Sequence, residues 1–181
     1  MKKFYWSIIA IAAMLINANM VMAVDVFVNT AAQLVVACNN AASGDVIKIA
    51  PGTYNGPFRL IGKSNVTLQS DGGNVYLQGN LDPSQQGIAI LQIENSSNIT
   101  VTGLKFHNSW GDDAGGIYIK GSGNSVSILN CEFYDTGKLL LRFQDKTSVF
   151  VLQSGFKSFR RFRHFCRFFF FQHGQCHFID H

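Results

Sequence analysis

The chain is predicted to fold as an all-β parallel solenoid, a β-helix with one short capping α-helix, and three features predict it. The first is an internal repeat, GIAILQIENSSNITVTGLKFHN at 87–108 and GIYIKGSGNSVSILNCEFYD at 116–135. Leaving out two residues at the turn sets Ile88 and Ile90 on Ile117 and Ile119, Ile99 and Val101 on Val126 and Ile128, and Leu104 and Phe106 on Cys131 and Phe133. The second is that each copy holds three short runs alternating apolar with polar, the pattern of a strand with one buried face. Gly, Asn, Ser and Asp separate the runs, residues that turn the chain at low steric cost. The third is the offset of 27 from Ile99 to Val126 and from Phe106 to Phe133, a period suited to one three-stranded coil. One coil cannot bury its inward side chains alone. Stacking the next about 4.8 Å above it pairs the backbones and piles like on like. An antiparallel sandwich would also alternate, but gives no reason for side chains copied at a fixed offset.

The N-terminus reads as a targeting segment. Met1, Lys2 and Lys3 form a basic start, residues 4–16 are almost wholly apolar, and Val21-Met22-Ala23 is a small-residue cleavage pattern. Together they predict a signal peptide over 1–23, cut after Ala23, and an exported product that is secreted, periplasmic or held at the cell surface. A membrane span needs about 20 apolar residues, and Asn17 and Asn19 interrupt this one. No cysteine follows the cut, so no lipid anchor is expected.

A cap comes next. Residues 24–28 alternate as a first strand, and Thr30 is placed to cap a helix over 31–42. Leu34, Ala37, Cys38 and Ala41 share one face of it. Gly44 is expected to end the helix, a strand to run over 45–49, and Pro51-Gly52 to turn. Such a helix would cover the apolar end and the unpaired edge of the first coil. Residues 58–79 then supply the first full coils, and Ser64-Asn65-Val66-Thr67-Leu68 matches Ser97-Asn98-Ile99-Thr100-Val101. Asn65 and Asn98 read as a turn ladder satisfying its own backbone, not as a binding row. His107 follows inward Phe106 and is expected to stand alone on the surface.

GDVIKIAPGTYNGPF after an Ala-rich helix, with SNVTLQS and SNITVTGLKFHNS, resembles the secreted right-handed parallel β-helix proteins. That group includes pectate lyases and chondroitinase-like and alginate-lyase-like enzymes. The resemblance covers residues 25–137 and implies a right-handed coil and an acidic polysaccharide as partner, with a pectate-lyase-like β-elimination as the expected activity. It also implies calcium, with Asp112 and Asp113 as ligands, Lys120 as the base, and Trp110 and Tyr118 as sugar contacts. Hard oxygen donors suit calcium, which takes about six to eight of them. Against this, Asp-Asp-Ala-Gly-Gly is also an ordinary turn. The repeat alignment places only Ala89 and Leu91 beside Tyr118 and Lys120 one coil earlier, with no further carboxylate. A non-catalytic surface adhesin or carbohydrate-binding solenoid is the alternative. A glycoside hydrolase would need paired carboxylates on neighbouring coils, and none is visible.

The pattern is expected to stop at Gly137. Residues 138–181 hold 11 of the 16 Phe and eight of the 15 Lys and Arg, whereas 24–137 hold five basic against nine acidic residues. The whole-chain charge of +4 therefore does not point to nucleic acid. Arginines among aromatics could also form a nucleic-acid or membrane-surface patch, which does not suit an exported solenoid. A shifted reading frame, opening between Gly137 and Phe156 and truncating the solenoid, is the preferred account. Residues 172–178 read from each codon's second base permit a coil-like string such as NTGNVTL. Cys166, Cys176, His164, His173, His177 and His181 fit no closed zinc spacing. Cys38 and Cys131 are expected to be buried free thiols.

Overall fold

The computed structural model describes residues 22–79, 88–108, 115–121, 124–134, 139–143, 147–152, 155–157, 168–172 and 175–178, with side chains up to Tyr134 apart from Asn124. The protein is a parallel β-helix. After strand β1 (Asp25–Val28) and helix α1 (Ala31–Asn40), each coil contributes one strand to each of three sheets. The first coil is β2 (Val46–Ile49), β3 (Gly52–Asn55) and β4 (Phe58–Ile61). The second is β5 (Thr67–Ser70), β6 (Val75–Gln78) and β7 (Leu91–Glu94). The third is β8 (Ile99–Thr102), β9 (Lys105–His107) and β10 (Gly115–Lys120), and the fourth β11 (Asn124–Leu129), β12 (Glu132–Tyr134) and β13 (Leu139–Phe143).

Side-chain alternation makes this architecture, because every second residue of a strand faces the same way. On the first sheet Ile47, Leu68, Val101 and Ile128 occupy one register column, and all four are fully buried. On the second sheet the column is Tyr54, Leu77, Phe106 and Phe133, with the last two rings stacked at 5.0 Å and 10°. The third sheet adds Phe58, Leu91 and Ile117 beside Leu60, Ile93 and Ile119. Tyr54 is buried with its hydroxyl satisfied, donating to the carbonyl of Ala50 at 2.7 Å.

The turns behave as expected. Asn65 and Asn98 both sit at φ 55°, a left-handed conformation that Asn tolerates better than other non-glycine residues. The Asn98 amide donates to Asn65 Oδ1 at 2.7 Å, and the Asn65 amide to Ser43 Oγ at 2.8 Å. The row is a structural ladder.

At the cap, Thr30 Oγ1 accepts from the Gln33 backbone N–H at 3.2 Å, and Leu34 and Cys38 are buried. Helix α1 packs on β4 and also meets β1 and β2. It ends at Asn40, two residues short of the expected 42. Ala41 leaves the helical conformation at φ −50° and ψ 127°, and Lys63 Nζ donates to the carbonyls of Asn39 at 2.6 Å and Ala41 at 3.1 Å. A cation on the last carbonyls satisfies acceptors that the helix cannot. Gly44 serves the following turn instead, at φ 98°.

Two expectations are corrected. The third sheet pairs Leu91 with Ile117 and Ile93 with Ile119, so Ile88 and Ile90 are not their partners. Ile90 lies just ahead of β7, where its N–H donates to the carbonyl of Gly115. Strand β7 then starts its own alternation, with Leu91 and Ile93 inward. The coil pattern also continues beyond Gly137. Strand β13, with β14 (Thr147–Leu152) and β15 (Gly155–Lys157), adds parallel partners in register: Ile117 with Leu141, Val126 with Val149, Phe133 with Phe156. This coil aligns at a shorter offset, 23 from Val126 to Val149, which hides it from a reading at a period of 27. Beyond it, β16 (Phe168–Gln172) and β17 (Gln175–Phe178) pair antiparallel, β16 lying against β14.

Cys38 and Cys131 are both free and buried. Burial pushes each thiol up to about 12, against a small lowering by Lys63 at Cys38 and by backbone hydrogen bonds at Cys131. A group whose pKa is raised in the folded state adds stability below its unfolded pKa and loses it as pH climbs to the folded one. Stability is therefore expected to fall between the ordinary thiol value of 9.0 and about 12. Replacing both cysteines by alanine should flatten that fall. A thiol reagent applied at neutral pH should label Cys38 and Cys131 only at the rate of unfolding, and fast labelling mapped to either of these two residues, as distinct from Cys166 and Cys176, would contradict their burial.

Candidate functional site

Outward residues of the second sheet form two rows across the coils. One row carries Thr53, Tyr76, Lys105 and Glu132, the other Asn55, Gln78, His107 and Tyr134. Alternation places them outside, since Tyr54, Leu77, Phe106 and Phe133 on the same strands point in. The parallel register then sets neighbouring coils side by side, close enough for long side chains to meet.

They do meet. The rings of Tyr76 and His107 lie edge to face, centroids 5.3 Å apart at 73°. Lys105 Nζ sits 5.7 Å from the Tyr76 ring centroid and 3.3 Å from Glu132 Oε2. Its side chain is 22 % exposed, so the ammonium is held and still reachable. Gln78 donates its amide to Asn55 Oδ1 one coil away. A cation, a phenol and an imidazole are thus gathered on one face, beside amides and a second tyrosine. An ammonium has three donors, and Lys105 meets Glu132 as an ion pair, which leaves donors for an anionic ligand. Phenol and imidazole are both groups that can give or take a proton.

The residues expected from sequence stand elsewhere. Tyr118 and Lys120 point outward together on β10, which belongs to the third sheet. Their neighbours one coil earlier are Gln92 and Glu94, correcting the expectation of Ala89 and Leu91. Both of those are buried. A carboxylate therefore does stand beside Lys120, because β7 begins later than the repeat alignment assumed. Trp110, Asp112 and Asp113 lie outside the described residues. Among the described residues no three His, Cys, Asp or Glu side chains converge as a metal cluster, and Glu94 alone falls far short of the oxygens calcium takes.

His107 is not the isolated surface residue expected. It is half-buried against Tyr76. The sequence signal lay in the outward positions of β6 and β9, Tyr76, Lys105 and His107, read as a column instead of within one strand.

No family model matches the chain, and no curated protein matches it in sequence. Among solved structures, the crystal structure of an alginate lyase from Paenibacillus sp. str. FPU-7 is similar, at 27 % identity and a TM-score of 0.61. The likeness covers 72 % of this chain and 43 % of that one, so it spans less than half of the lyase's length. The chain resembles a polysaccharide lyase in its parallel β architecture. The likeness does not extend to pectate, and alginate is the polymer of that enzyme alone.

Proposed function

We propose that the chain is polysaccharide-lyase-like and engages an acidic, uronate-containing polymer along the outward face of β6, β9 and β12. The observation that carries this reading is the contact of Tyr76, Lys105 and His107 on stacked strand positions of a solenoid similar to an alginate lyase. β-Elimination from a uronate asks for three things: neutralisation of the carboxylate, removal of the proton α to it, and a proton for the departing glycosidic oxygen. Lys105 supplies the positive charge. His107 takes the α proton as a neutral imidazole, and the Tyr76 hydroxyl donates to the leaving oxygen. Tyr134 and Gln78 flank the rows and offer hydrogen bonds to sugar hydroxyls. Export by the 1–23 leader would bring the protein to such polymers outside the cytoplasm.

Calcium belongs to the other expected site, around Asp112, Asp113 and Lys120, and no step on the Tyr76 face is routed through it. The test is an assay of the purified full chain on alginate and on polygalacturonate, following the unsaturated uronate end that elimination creates. Product from either polymer, retained after chelation with EDTA, is the expected result. Binding without product would support the adhesin-like alternative. Product lost with EDTA and with Lys120→Ala would move the chemistry to the third sheet.

A further inference from the structure

Asp45 is a buried carboxylate, 7 % exposed, at the cap end of the first coil. Among the described residues no lysine or arginine pairs with it, for the ion pairs there join Lys48 to Asp25 and Lys105 to Glu132. Burying a carboxylate without a cation is costly. Its acceptors are nonetheless held in place by its own turn. Oδ2 accepts from the Ala42 N–H at 2.8 Å, and the Asp45 N–H donates back to the Ala42 carbonyl at 3.2 Å. Oδ1 accepts from the backbone nitrogen of Val24 at 3.2 Å. Val24 is fixed in turn, since its carbonyl accepts from the Val46 N–H at 3.0 Å and extends the β1–β2 ladder.

Val24 is also the residue that the cleavage pattern Val21-Met22-Ala23 would make the new N-terminus. Two independent readings, one of leader residues and one of a buried acid, meet on the same nitrogen atom. Hydrolysis of the Ala23–Val24 peptide bond adds water, leaving a carboxylate on Ala23 and an amine on Val24 that takes up a proton at neutral pH. The neutral amide donor at Oδ1 becomes an α-ammonium.

We propose that leader removal after Ala23 installs an ion pair in the fold, the Val24 α-ammonium captured by Asp45, which locks β1 and the cap to the first coil. The inference rests on the leader reading and is independent of the polymer chemistry. An unprocessed chain holds the same place with one hydrogen bond from a neutral amide to the carboxylate, so processing and cap stability are coupled. Charging the donor as well adds Coulomb attraction to a hydrogen bond that already has a charged acceptor.

The experiment is a double-mutant cycle. The exported full-length chain is purified and its N-terminus sequenced, with Val24 expected; a terminus elsewhere overturns the proposal. The processed chain and one retaining Met22 and Ala23 are then melted, each with Asp45 and with Asp45→Asn. The processed chain should melt about 5 °C above the extended one, and Asp45→Asn should erase that difference. An unchanged difference in the Asn variants overturns the proposal. A second reading guards against variants that fold poorly. In the processed native chain the Val24 amine should react slowly with an amine reagent and keep its proton above the usual α-amino range of about 7.7–8.0. An amine that titrates within that range and reacts freely counts against the ion pair.

Discussion

Replacing His107 by alanine is expected to lower the rate of the proposed uronate elimination by about a hundredfold to ten-thousandfold, the span usual for loss of a general base. Tyr76→Phe is the sharper companion. It keeps the ring that meets His107 edge to face at 5.3 Å and removes only the hydroxyl. Its loss should also reach about a hundredfold or more, with the melting temperature within a few degrees of the parent. Lys105→Ala should cost about a hundredfold to a thousandfold, as expected when a charge-stabilising donor is removed. It should barely move stability, because the pair with Glu132 is partly exposed at 22 % and 31 % and such pairs contribute about 1 kcal/mol or less. Rates on alginate and polygalacturonate, measured beside a thermal melt of each variant, check this. If all three variants cleave at the parental rate, the second-sheet face is not the reacting site.

Phe106→Ala is expected to destabilise the solenoid by about 3–5 kcal/mol, on the order of 10 °C in melting temperature. Phe106 is fully buried, stacked at 5.0 Å on Phe133 of the next coil, and in register with Leu77 of the coil before. Truncation opens a cavity at the middle of the column, where rigid coils on both sides limit collapse. Phe106→Leu should recover about half of the loss by refilling part of the volume. The pair of melts distinguishes packing from any role in chemistry. A loss below about 1 kcal/mol for the alanine variant would mean that the column does not bear on stability as its burial implies.

Much of the fold is legible in the amino-acid sequence. Ile99 and Val101 against Val126 and Ile128, and Phe106 against Phe133, are readable as partners because one strand face must be buried and side chains of like shape stack well. The cap helix with Thr30 at its start, the Asn65–Asn98 ladder and the two buried thiols follow from equally local rules. The candidate site is not legible in the same way. Tyr76 lies on β6 while Lys105 and His107 lie on β9, in different coils with no shared motif. Tyr118 and Lys120 stand out in the sequence because they share one strand, which is what a linear reading sees most easily.

By itself the sequence determined the kind of object this is. Alternating runs, turn residues between them and a repeat with copied side chains leave a parallel stack as the arrangement that buries every inward residue. Only the tertiary structure decided which outward residues become neighbours. The reason is that the coils differ in length: the register column Ile47, Leu68, Val101, Ile128 and Val151 advances by 21, 33, 27 and 23 residues. Loops of unequal length leave backbone pairing unchanged, yet they remove any constant offset from which a neighbour could be counted. Hydrogen bonding between strands sets the register, and the register sets Tyr76 beside Lys105, His107 diagonal to it, and Glu94 beside Lys120.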